Sequence, residues 1–296
     1  MDAAASPVPP PDDAGLAAFF AKAEAREPLL GAAVGFVPSA SRVVFRAWCG
    51  LLAELRECAF ELSDPRITVV KAGWWAEELD GVARGAARHP LTRVLLAHGG
   101  PWQGAGDALL AVAGDADPAA DLDGAIAALH PLADALVGIE RHLFGAAGPA
   151  SDASRHAPAA ADADAQRRAL AIHWLRIRLE RGQDAPDRAR VPLGLFARHG
   201  LRREQLATAA ADPLRRDWAT RLHAALPMPA EAPSSAGPWP YPRLLALAAD
   251  RSALDALAAG RTPHRGKGAG FLDVGRAWRL ARNAALPVRA TGRAYT

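Results

Sequence analysis

Apolar residues recur along most of this chain at three- and four-residue intervals, the spacing that gathers them on one side of an α-helix. Val44, Trp48, Leu51, Leu52 and Leu55 follow that rule in a helix expected from Ser39 or Ser41 to about Leu62. Asp64-Pro65 opens the next helix. Aspartate caps orphan amides there, and proline fits a first turn where no donor is missed. Ile67, Val70, Trp74 and Leu79 fall near one face of this helix, expected inward, with Lys71, Glu77, Glu78 and Asp80 offset towards water. Trp74 and Trp75 cannot share a face, so each should meet a different neighbour.

The same reading gives a helix over 16–30 that ends near Pro28, and short helices over 91–98 and 107–113 on either side of a Gly99-Gly100-Pro101 break. A longer helix is expected over 121–144, kinked at Pro131. Others follow over 164–183, from Asp212-Pro213 to about Leu226, and over 243–259 and 271–285. Residues 1–13 read as a disordered tail, and 146–165 and 227–242 as mobile linkers rich in Ala, Pro, Ser and Gly. The expected architecture is all-α, a single-domain helical bundle over 14–296.

Composition sharpens this picture only in places. Half the residues are apolar, but Phe and Tyr are few, so Ala, Leu and eight Trp must fill the core. Positive charge exceeds negative by 35 − 32 = 3, and only Lys22, Lys71 and Lys267 are lysines. With no basic stripe interleaved with aromatics, nucleic acid is not an expected partner. No run approaches the roughly 20 apolar residues of a membrane span, and the start lacks a signal-peptide pattern, so a soluble, cytoplasmic protein is expected. Cys49 and Cys58 lie about 13 Å apart along one helix, too far for a disulfide, and read as core thiols. His173 reads as a core histidine and His89 as a residue that fixes its turn. The segment 264–270 is basic and Gly-rich without the upstream strand of a phosphate loop, and reads as flexible. Arg276, Arg279, Arg282, Arg289 and Arg293 make the C-terminal end basic. A solvated face is the default there, and a peripheral membrane contact through anionic headgroups stays open.

Trp48-Cys49, Asp64-Pro65, Lys71-x-x-Trp74-Trp75-x-Glu77-Glu78-Leu79 and His89-Pro90-Leu91-Thr92-Arg93 together resemble the squalene/phytoene synthase family. The resemblance is closest to the divergent branch that includes complex I assembly factors; it is densest over 41–96 and looser over 165–224. It implies a bundle around a central cavity, with two facing helices that each carry Asp residues four apart. Such pairs stack on one helix face and hold Mg²⁺, which neutralises a departing diphosphate.

Carried across, the first metal-binding pair falls on Ala53 and Glu57, and the second on Leu179 and Gln183. The polar positions one and two turns before the second pair fall on Leu175 and Ile172, and the basic residue before it on Arg178. Three of four carboxylates are absent. Ile172, Leu175 and Leu179 instead form an apolar stripe expected to line the cavity, with Arg178 left as the candidate diphosphate ligand. The resemblance therefore implies a non-catalytic protein without a required cofactor, binding a partner protein or an apolar isoprenoid or lipid ligand. The alternative is an active Mg²⁺-dependent head-to-head prenyltransferase acting on prenyl diphosphates. It would use displaced carboxylates: Glu54, Glu57 and Glu61 on the first helix, and Glu180 and Asp184 on the second.

Overall fold

Helix-forming Ala, Leu, Arg and Glu prevail throughout. The computed structural model describes residues 13–62, 64–115, 117–145, 160–181, 190–228, 239–261 and 271–290, and among these every regular element is helical. The helices are α1 (Asp13–Arg26), α2 (Leu29–Val34), α3 (Arg42–Arg56), α4 (Pro65–Ala83), α5 (Pro90–Leu96), α6 (Ala105–Gly114) and α7 (Leu122–Ala127). They continue with α8 (His130–Phe144), α9 (Ala160–Arg181), α10 (Leu193–His199), α11 (Asp212–Ala225), α12 (Tyr241–Ala258) and α13 (Phe271–Ala290). One contiguous apolar core draws on residues from Leu16 to Ala285. No helix among the described residues is long and apolar enough to cross a membrane.

Local chemistry explains the boundaries. Asp64 caps α4 by accepting from the Arg66 amide at 2.8 Å, with Pro65 at the first position. His89 caps α5, its Nδ1 accepting from Leu91 N at 3.3 Å. The helix expected over 121–144 is instead two, and Pro131 opens α8 rather than kinking a continuous rod. Its missing amide is harmless in a first turn and costly in a helix interior. Likewise Pro28 separates α1 from α2, a short helix not anticipated past it. Part of the expected linkers is ordered: α9 begins at Ala160, and Trp239 is buried, its Nε1 donating to Asp162 Oδ1 at 2.6 Å. The 1–12 tail, 146–159, 229–238 and the Gly-rich 264–270 lie outside the described residues.

The α4 helix keeps Leu79 inward and Glu77 outward as expected, but is turned elsewhere. Its buried side is Thr68, Ala72, Trp75, Ala76, Leu79 and Val82, whereas Ile67, Val70 and Trp74 are 55%, 74% and 40% exposed. Ala72 and Ala76 on the buried side let α4 pack tightly on α6. At Gly106 a Cβ would come within 2.7 Å of the Ala76 carbonyl, so the crossing requires glycine. Glu78, expected in water, is fully buried. It accepts from the Arg88 and His89 amides at 2.8 and 2.9 Å and from Thr92 Oγ1 at 2.5 Å, which ties the turn before α5 to α4. Burial raises the carboxyl pKa, but these donors outweigh it and leave it lowered.

Deeper in the bundle, Glu140 of α8 accepts from Trp48 Nε1 of α3 at 2.9 Å and from Arg243 of α12 at 3.1 and 3.0 Å. His173 Nδ1 and Arg176 Nε of α9 both reach Asp250 Oδ1 of α12, at 2.9 and 2.7 Å. Glu140 and Asp250 are thus each paired across helices.

Candidate functional site

After Arg56, α3 widens into one turn of π-helix over Glu57–Glu61. This end of the helix carries Glu54, Glu57 and Glu61, the residues on which displaced metal binding would depend. They form neither a solvated acidic face nor an open ligand set. Lys22 Nζ of α1 lies 2.6 Å from Glu54 and 2.8 Å from Glu57, and Lys71 Nζ of α4 lies 3.0 and 2.6 Å from the same two carboxylates. Arg26 pairs with Glu57, and reaches Glu61 at 3.5 Å. Arg56 joins Glu61 at 2.9 Å and also pairs with Glu27. Four cations and four carboxylates are thereby interleaved. Two of the chain's three lysines stand here, their compact ammonium groups well suited to sit between paired carboxylates.

The charges hold one another in place. Burial raises the Glu57 pKa, but hydrogen bonds from Lys22, Lys71 and Arg26 bring it down to about 2. Burial also raises that of Glu27, but Arg56, His173 and Arg176 draw it to about 2. Burial lowers the Lys71 pKa, but Glu57 and Glu54 raise it further, so the net shift is upward. Carboxylates depressed in this way stabilise the fold above their unfolded pKa, about 4.5, and the contribution is lost as pH falls towards 2. Melting the protein between pH 7 and pH 2 should show stability dropping below about pH 4.5, by roughly 2 kcal/mol for each group after allowance for solvent screening. Glu57→Gln should flatten this acid limb. A melting temperature constant from pH 5 to pH 2 would contradict the network.

The second expected motif does not complete a metal centre among the described residues. Ala53 is buried and brings no oxygen. Ile172, Leu175 and Leu179 of α9 are buried in the apolar core, and none of them lines the groove beside α4 or the crevice beside Arg178. Gln183 and Asp184, and the side chain of Glu180, lie outside the described residues. The end of α3 and α9 do meet, but through packed rings: Phe60 and Trp174 have centroids 5.3 Å apart. Arg178 is buried beside them, lining a crevice with Arg56, Phe60, Glu61, Trp174 and Ile177 that is too narrow for a water-sized guest. A diphosphate does not fit there. No group of three or more His, Cys, Asp or Glu among the described residues is arranged to hold a metal. Where the resemblance implies Mg²⁺, the donor set present does not fit it, because ammonium nitrogens already lie between Glu54 and Glu57.

Room for a guest lies beside the cluster. An open groove of about 550 Å³ runs along the exposed side of α4, lined by Ile67, Val70, Trp74, Trp75, His89, Arg66, Lys71 and Glu54. Its aromatic wall is built by edge contacts among Trp74, Trp75 and His89, with centroids 4.8 to 5.7 Å apart. Phe19 of α1 meets the same imidazole at 4.6 Å. The Arg88 guanidinium lies 6.0 Å from the Trp74 ring centre. Burial lowers the His89 pKa, against the opposing pull of Glu78 and Glu54, so its ring stays neutral at pH 7. Buried Cys49 and Cys58 are unsuited to nucleophilic work, since burial pushes the Cys58 thiol up to about 12 and the Cys49 thiol higher than usual too.

The sequence reading missed Lys22 and Lys71 as the partners of the acidic face, and Ile67, Val70 and Trp74 as groove walls. A signal for the first was available in the rarity of lysine in so Arg-rich a chain. Compared with protein-family models and with curated proteins, the sequence finds no match in either.

Proposed function

We propose that this protein is a non-catalytic, squalene/phytoene synthase-like helical protein that binds an apolar ligand, an isoprenoid or lipid chain, in the groove along α4. The observation carrying this reading is the pairing of an exposed hydrocarbon wall with a neutralised acidic helix. Monomeric proteins seldom leave such apolar patches uncovered without a binding purpose. The residues behind the family resemblance support it by their convergence. Lys71 occupies the acidic cluster, Trp74, Trp75 and His89 line the groove, and Glu78 fixes the His89–Thr92 turn. An isoprenoid-synthase-like arrangement of the bundle belongs to the same proposal. Head-to-head prenyl transfer would need Mg²⁺ between opposed carboxylates, and the described side chains put ammonium groups and hydrocarbon at those positions.

Farnesol titrated into the protein, followed by displacement of a fluorescent naphthalene sulfonate probe, tests the groove. Val70→Asp alters an exposed side chain and should change stability by no more than about 0.5 kcal/mol. Trp74→Ala, which also loses its ring contacts to Trp75 and His89, should cost about 1–2 kcal/mol. Each should weaken farnesol binding about tenfold or more, because the guest loses apolar contact. Equal binding by parent and variants would move the site elsewhere. A hydrophobic segment of a protein, bound in place of farnesol and equally sensitive to Val70→Asp, would make the guest a partner. Mg²⁺-dependent release of diphosphate from farnesyl diphosphate, abolished by Glu57→Ala, would overturn the non-catalytic reading.

A further inference from the structure

A second exposed surface lies on α13, a helix that contributes no residue to the groove. Ala281, Ala284 and Ala285 form its buried side, and the Tyr241 hydroxyl lies 3.3 Å from the Ala281 carbonyl. The opposite side carries Arg276, Trp278, Arg279 and Arg282, all exposed. Trp278 is 49% exposed although indole is among the most costly side chains to leave in water. It is held in place, with the Phe36 ring at 5.7 Å and the Arg282 guanidinium 5.8 Å from its ring centre. Arg42 donates to the carbonyl of Val37, the residue after Phe36, at 3.0 Å, bringing a fourth guanidinium to this corner. Its neighbour Val43 is exposed as well.

The charge around this indole is largely positive, Asp273 in the first turn being the single acidic residue of α13. From 29 to 53, and again from 274 to 290, the chain contains neither Asp nor Glu. On the adjoining α12, Asp255 pairs with Arg261 at 3.0 Å and Asp250 is buried against α9. We infer that the Trp278 face of α13, with Arg276, Arg279, Arg282 and Arg42 around it, docks on an anionic lipid surface. An amphipathic ring among guanidiniums suits the boundary between headgroups and acyl chains, where the indole enters the apolar layer and the cations meet phosphate. Nucleic acid would engage the arginines but give the exposed indole and Val43 no apolar layer to enter.

Co-sedimentation of the full chain with vesicles tests this, using phosphatidylcholine alone or mixed with phosphatidylglycerol. Binding is expected only to the mixed vesicles, and should weaken as salt is raised. Arg276→Gln, Arg279→Gln and Arg282→Gln together should lower it about 100-fold, at about fivefold per charge near such a surface. Trp278→Ala should lower it further at unchanged charge. Arg84→Gln, Arg198→Gln and Arg216→Gln, a matched set of exposed arginines on other elements, should leave most of the binding intact. Circular dichroism and the melting temperature of each variant exclude unfolding as the cause. The inference fails if the mixed vesicles are not bound, or if the matched set loses as much as the α13 set. It fails equally if Trp278→Ala is without effect, or if duplex DNA is bound more tightly than the vesicles. None of these outcomes depends on farnesol binding in the groove.

Discussion

Glu140→Ala is expected to lower stability by about 3–5 kcal/mol, the range found when one partner of a buried ion pair is removed. The carboxylate is buried and serves three donors from two helices: the Trp48 indole of α3 and two guanidinium nitrogens of Arg243 on α12. Truncation strands the Arg243 charge in the core and leaves the indole N–H without its acceptor. The pair itself is a different matter, since a desolvated pair gains little over hydrocarbon of similar size. Glu140→Leu with Arg243→Met should therefore recover most of the loss, leaving mainly the Trp48 indole N–H unmet. Urea unfolding of the two single variants and the double variant gives the coupling directly. A loss below about 1 kcal/mol for Glu140→Ala would mean that the charge finds water or another partner.

Lys22→Met with Lys71→Met should cost a comparable amount, about 3–5 kcal/mol at neutral pH, for the opposite reason. Glu54 loses both of its cations, and Glu57 keeps only Arg26. Two half-shielded carboxylates then repel, and Glu57, with two of its three cations gone, is expected to have a folded pKa above the unfolded value. A raised carboxyl pKa destabilises the folded state most at high pH, so this variant should gain stability as pH falls from 7 towards 5. The parent, whose Glu57 is drawn down to about 2, should not. Both carboxylates lie within 3.0 Å of the Lys71 nitrogen, so vacating that position leaves oxygen donors converging on one point. Added Mg²⁺ should then raise the melting temperature of the variant and leave the parent's unchanged. An equal response in both would show that the lysines do not occupy the cation position.

Much of the secondary structure could be read directly from the chain, because it rests on contacts within a few residues. The Asp64-Pro65 start, the His89 cap and the predominance of helix are all of this kind. The face that α4 turns inward was not legible, since both sides of it carry apolar groups. Ile67, Val70 and Trp74 fall on one face, and Ala72, Trp75, Ala76 and Leu79 on another, so periodicity alone does not choose between them. Close approach to α6 turns Ala76 inward, and that approach depends on Gly106, some thirty residues away. The acidic cluster shows the same limit. Spacing places Glu54, Glu57 and Glu61 on one face; Arg56 beside them reaches Glu61 from the same helix, but Lys22, Arg26 and Lys71 come from α1 and α4, beyond any helical periodicity. Nor does anything in 57–61 announce the π-helical turn that sets the angles of Glu57 and Glu61.

The Gly106 crossing also bears on how a guest would be chosen. A helix pressed backbone to backbone against its neighbour cannot retreat by even a methyl's width, so the Val70–Trp74 wall keeps its contour whether or not anything lies against it. Adaptation then falls to the visitor. A floppy chain surrenders rotational freedom on entering, whereas a molecule already curved to match gives up little. Selection among greasy candidates of similar size would accordingly follow stiffness and outline more than oiliness.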